Sequence, residues 1–159
     1  MVNTDKKQKF IWLAIPVITG LIVPSLVIFY LEVFVGQIPP FTAVANIMGR
    51  QFSKGNNLFL IAVFGLIPFV ALSIACTIAA SRLTPVRLAL FGTGGLVGIL
   101  ALMIPAHYFV WYPLYGPGHM SSTAVVAFIF IPLYCLVTMA IGVFAGWLVS
   151  LLPLFRMHK

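Results

Sequence analysis

Four long hydrophobic runs, at about residues 10–34, 58–80, 86–108 and 122–152, alternate with short segments rich in proline, glycine or charge. A helix needs about 20 apolar residues to cross the roughly 30 Å hydrocarbon layer of a bilayer. Each run meets that length, and the fourth exceeds it, so it tilts or projects beyond the bilayer. The pattern predicts an all-α integral membrane protein: a four-transmembrane-helix bundle in a single domain, with two outer-side hairpins. The first run follows Lys6, Lys7 and Lys9 and so resembles a secretory leader. It is longer than the 7–15 residues of a leader's apolar core, and no small-x-small cleavage pattern closes it. It is therefore read as a retained helix.

The breaks between runs have local causes. Ile38-Pro39-Pro40 ends the exit from the first run, and Thr84-Pro85 suits an N-cap followed by proline at the first helical position. Tyr115-Gly116-Pro117-Gly118 reads as a loop, and Ser121 or Ser122 as the cap of the fourth helix. In the first outer connection Phe41, Val44, Ala45, Met48 and Phe52 share one helical face. That spacing predicts a short amphipathic helix lying on the outer surface. An ordinary apolar loop packed on its neighbours is the alternative. The second outer connection, His107 to Tyr115, is aromatic and uncharged, and is expected to pack into the outer interface or against a partner.

Composition reinforces the pattern. Hydrophobic residues make up 62% of the chain and charged residues 7%, against about 25% charged in a soluble domain. Such a chain cannot cover its core with a solvated face. The net charge of +7 belongs to topology rather than to nucleic acid, because the basic residues flank the apolar runs and form no patch that could track phosphates. Lys6, Lys7, Lys9, Arg82, Arg87, Arg156 and Lys159 fall on one side, and only Arg50 and Lys54 on the other. The positive-inside rule then places both termini in the cytoplasm, which fits a bacterial inner membrane most simply. Trp12 and Trp147 fall near the inner interface, and Tyr30, Trp111 and Tyr112 near the outer one, as an aromatic belt requires. Cys76 and Cys135 lie inside apolar runs without a CxxC or CxxH pattern, and are read as small buried hydrophobes.

Helices in lipid associate through small residues that let backbones approach closely. Gly94 and Gly98, Gly142 and Gly146, and Ala71, Ala75 and Ala79 recur at four-residue spacing. They are candidate contact faces within the bundle, with docking of a partner or a second copy as the alternative. Pro16, Pro24, Pro68 and Pro132 interrupt the helices, and Pro105 lies near the end of the third. Membrane helices tolerate such prolines, which also serve as hinges or shape cavities.

The candidate chemistry is sparse. Of the two acidic residues, Asp5 is in the tail and Glu32 lies near the outer end of the first helix. An intramembrane carboxylate costs several kcal/mol unless paired or hydrated. Its candidate partners are Arg50, Lys54, His107 and His119, and the two readings are an interfacial ion pair and a proton or cation site. His107 and His119 bracket the aromatic connection, and with Glu32 or Met120 could compose a metal site, although their spacing matches no known ligand motif. His158 falls in the basic tail. No paired carboxylates, P-loop or HExxH pattern is present, and His119 near Ser121, Ser122 and Thr123 is explained by capping as well as by hydrolytic chemistry.

These readings converge on a non-catalytic small membrane subunit that binds and stabilises a larger membrane protein complex. One alternative is a homo-oligomeric small transporter or channel using Glu32. Another is a membrane enzyme or metal site using His107, His119 and Glu32. Glu32, His107, Trp111, Tyr112 and His119 are the candidate binding residues. No cofactor is expected, a bound lipid is compatible with the apolar surfaces, and the expected partners are lipids and other integral membrane subunits, or further copies of the chain.

Overall fold

The computed structural model describes residues 2–51, 58–117 and 124–152. Phe52, Lys54, His119, Met120, Ser121, Ser122, Arg156, His158 and Lys159 lie outside the described residues. The described chain is all helical, with four helices long and apolar enough to cross a membrane. Helix α1 covers Val2–Tyr30 and runs into a π-helical turn, Leu31–Val35. The short α2 covers Pro40–Arg50, α3 Leu58–Ala79, α4 Pro85–Trp111 and α5 Ala124–Val149. A 3-10 turn, Tyr112–Leu114, follows α4.

Several boundaries differ from those the hydrophobic pattern predicts. Helix α1 begins at Val2 rather than near Phe10. The added turns are rich in Lys and Gln, which favour helix and contain no breaker. Helix α4 ends at Trp111, three residues beyond the end of the third hydrophobic run at 108. Pro105 is accommodated inside the helix, and the chain leaves it only beside Pro113, at the 3-10 turn. The first half of the aromatic segment is therefore the last turn of α4. Thr84 sits at the N-cap of α4 with Pro85 at the first helical position, but its side chain makes no capping hydrogen bond.

Contacts between named residues give the helix directions. Ser73 Oγ donates to the Leu13 carbonyl, and Gly20 abuts Phe69, so α1 and α3 are antiparallel. Trp12 covers Gly92 and Tyr30 approaches Tyr108, so α1 and α4 are parallel. Gly65 faces Met103 and Gly95 faces Leu72, so α3 and α4 are antiparallel. The strongest pairings are α4 with α5 and α1 with α3. Trp12, Arg82 and Arg87 thus mark one end of the bundle, and Glu32, Arg50 and Trp111 the other.

The α4–α5 pair owes its closeness to glycine. A Cβ at Gly94 would collide with the Gly142 carbonyl, one at Gly98 with that of Thr138, and one at Gly146 with that of Leu90. Backbone therefore meets backbone along this seam, the geometry that small residues permit and lipid does not oppose. Ala71, Ala75 and Ala79 are half-buried on α3. Pro16, Pro24, Pro68 and Pro132 are buried, whereas Pro105 is exposed. The core contains Ile28, Leu31, Phe69, Leu72, Cys76, Leu88, Ile99, Met103 and Cys135. Large apolar side chains also cover the outside of the long helices, among them Phe10, Phe64, Ile78, Phe109, Phe130 and Phe144. A surface of that kind suits hydrocarbon or a partner rather than water.

Candidate functional site

The Glu32 end holds a four-residue polar cluster built by three separate segments. In the π turn the Gly36 N–H donates to the Leu31 carbonyl at 2.9 Å, and the Ile38 N–H donates to the Glu32 carbonyl at 2.9 Å. Such a widened turn inserts one residue beyond the α-helical register. Here it closes α1, and Glu32, one turn after Ile28 on the same buried face, is fully enclosed. Gln37 then adopts a positive φ of 53°, and Pro39 and Pro40 lead into α2 with Pro40 at its first position. The N-cap role falls to Pro39, which has no side-chain donor or acceptor to offer.

Helix α2 is amphipathic in an instructive way. Phe41, Val44, Ala45 and Met48 face outward, Phe41 almost completely exposed, while Ala43 and Ile47 are buried against the bundle. Asn46 and Arg50 are four apart, so they lie one turn from each other along the same side of the helix. Asn46 Nδ2 donates to Glu32 Oε2 at 3.3 Å, and Arg50 Nη1 pairs with Glu32 Oε1 at 3.0 Å. The third segment, just beyond the 3-10 turn, supplies Tyr115. Its hydroxyl donates to Glu32 Oε1 at 3.1 Å and accepts from Arg50 Nη1 at 2.5 Å. The Arg50 guanidinium also lies 6.0 Å from the Tyr115 ring centre, within cation–π range. Burial pushes the Tyr115 phenol above its ordinary value, and the hydrogen bond from Arg50 pulls in the opposite direction.

Both carboxylate oxygens of Glu32 therefore have donors. Hydrogen bonds to a charged group contribute roughly 1.5–3 kcal/mol each. The arrangement joins the end of α1, α2 and the segment after α4, and its chemistry is that of a structural tie. Of the partners expected for Glu32, the structure brings in Arg50. His107 is elsewhere, and Lys54 and His119 lie outside the described residues. Asn46 and Tyr115 were not anticipated. The i, i+4 spacing of Asn46 and Arg50 was a readable signal for the first. Nothing local marked Tyr115, which reaches Glu32 across 83 residues of chain.

A second polar site lies on α4. His107 and Trp111 are one turn apart, each 2% exposed, and both rings pack on Phe128 of α5, with centroids at 5.6 Å and 5.4 Å. Neither His107 Nδ1 nor Trp111 Nε1 has a hydrogen-bond partner among the described residues. This placement corrects the expectation that Trp111 sits in a connection facing the interface or a partner: helical continuation carries it inside the bundle. Tyr112 is half-buried beside Tyr108, at 5.5 Å between ring centres. Among the described residues no three His, Cys, Asp or Glu side chains gather into a metal-binding group.

No protein-family model, curated protein or solved structure matches this chain.

Proposed function

We propose that the chain is an integral membrane protein acting as a non-catalytic subunit that binds and stabilises a larger membrane complex. Both termini lie on the cytoplasmic side, together with Arg82 and Arg87, in the orientation of a bacterial inner-membrane protein. The observation that carries the subunit reading is the imbalance of α5. It is strongly apolar, yet only 17% of its most hydrophobic window is buried inside the bundle. Ile129, Phe130, Leu133, Val137, Ile141, Phe144 and Leu148 all face outward from it. Helix α2 adds a second outward apolar face at the opposite side of the bilayer from the termini.

The Glu32 cluster supports the same reading. A carboxylate that carries protons or cations must change partners, and Glu32 has each oxygen engaged by groups from other segments. An ion-paired Glu32 favours the subunit reading over a transporter that would use this carboxylate.

The test is extraction from the native membrane in mild detergent, followed by size estimation and mass spectrometry of the companions. Reproducible stoichiometric companions, lost on replacing Val137 or Ile141 with Arg, are expected. Recovery of this chain alone as a stable particle would count against the subunit reading.

A further inference from the structure

Between the two places where α1 touches α4, at Trp12–Gly92 and at Tyr30–Tyr108, the helices leave a groove of about 510 Å³ that is open along one side. That size is within the range of small-molecule sites, roughly 300–1,000 Å³. Its walls are Val23, Leu26, Val27, Ile104, Pro105 and Phe109, and at the Glu32 end it is rimmed by Tyr30 and Tyr108. From Val23 to Tyr30 the helix rises about 10 Å. The tyrosine rings lie 6.4 Å apart, and neither hydroxyl has a hydrogen-bond partner among the described residues. The rim stands about 3 Å, two residues of helix rise, below the level of Glu32.

We infer that this groove holds one acyl chain of a membrane glycerophospholipid, with the Tyr30 and Tyr108 hydroxyls donating to its ester carbonyls. The inference rests on the membrane reading above. An apolar groove whose lining includes two phenolic donors matches a chain that ends in carbonyl acceptors. Tyrosine at this depth, apolar in body and polar at the tip, occupies the layer where ester groups lie.

The experiment uses the full chain reconstituted in vesicles of phosphatidylcholine and phosphatidylglycerol, re-extracted in mild detergent and weighed intact by native mass spectrometry. One retained phospholipid per chain is expected. Leu26→Trp and Ile104→Trp fill the groove from its exposed side and should remove that adduct, whereas Ile78→Trp, exposed on α3 away from the groove, should leave it. The Tyr30→Phe, Tyr108→Phe double variant keeps the packing and should lower occupancy roughly tenfold, through the loss of two hydrogen bonds. Equal retention in the groove variants and in Ile78→Trp overturns the assignment, as does a retained quinone or peptide mass in place of phospholipid. Alkaline carbonate extraction separates the two failures. A chain released by carbonate overturns the membrane reading and this inference together. A chain that resists carbonate but retains no phospholipid overturns only the inference.

Discussion

Glu32 and His107 are buried at the same end of the bundle, one fully enclosed and the other 2% exposed, yet their surroundings are opposite. Glu32 receives donors on both oxygens from three side chains on two other segments. His107 Nδ1 and Trp111 Nε1, one turn apart, have no hydrogen-bond partner among the described residues, and both rings pack on Phe128. The difference follows from charge. Burying an unpaired carboxylate costs far more than burying a neutral ring nitrogen. A fold that encloses Glu32 must therefore bring partners to it, and α2 and Tyr115 are held where they are by that requirement. No comparable penalty forces a partner onto His107.

The largest effect should come from removing one partner of the buried charge. Arg50→Ala leaves Glu32 enclosed with Tyr115 and Asn46 as its partners among the described residues, and should destabilise the protein by about 3–5 kcal/mol, measured by reversible unfolding in mixed detergent micelles. A loss below about 1 kcal/mol would mean that water reaches the carboxylate, and the contrast with His107 would collapse. Replacing the pair together, Glu32→Met with Arg50→Leu, should recover most of that loss, because well-packed apolar residues often match a buried ion pair.

Tyr115→Phe removes one donor to Glu32 and one acceptor for Arg50, at an expected cost of about 1–3 kcal/mol. A double-mutant cycle with Arg50→Ala should give a coupling of roughly 0.5–3 kcal/mol, and strict additivity would show that the two side chains act independently. A smaller effect depends on pH. The folded-state value of the Tyr115 phenol is raised above its ordinary value of 10.0, so the unfolded chain loses this proton more readily. Its contribution is complete below about pH 10 and is lost as pH rises through the folded value. Wild type should therefore lose stability above pH 10 more steeply than Tyr115→Phe, and parallel alkaline profiles would remove Tyr115 from the network.

The smallest effect is expected at His107. His107→Leu exchanges a ring whose Nδ1 is unpaired for an apolar side chain, and should alter stability by less than about 1 kcal/mol. A loss of 3 kcal/mol or more, read in the same unfolding assay, would reveal a strong partner for His107 and place it in the same class as Glu32.

The parts of the molecule governed by local rules were legible in the amino-acid sequence. Twenty or more successive apolar residues leave the backbone only helix as a way to satisfy its own polar groups in hydrocarbon, so the four long helices could be read directly. Pro39-Pro40 and Thr84-Pro85 located two helix starts, because proline fixes φ and lacks the N–H that a first turn does not need. The spacing of Phe41, Val44 and Met48 located α2 and its outward face. The aromatic residues after Tyr108 were read as a connection, whereas α4 reaches Trp111.

Only the tertiary structure decided what each polar group meets. Glu32 lies one turn after Ile28 on the buried face of its helix, but hydrophobic periodicity does not encode which donors meet it there. Tyr115 joins Glu32 from 83 positions away, and the length of an apolar run carries no information about such a pairing. The same holds for the groove between α1 and α4 and for the Phe128 ring against His107. Sequence fixes where helices form because the hydrogen bonds of a helix are local. Which side chains meet depends on how those helices turn and pack, a property of the assembled chain.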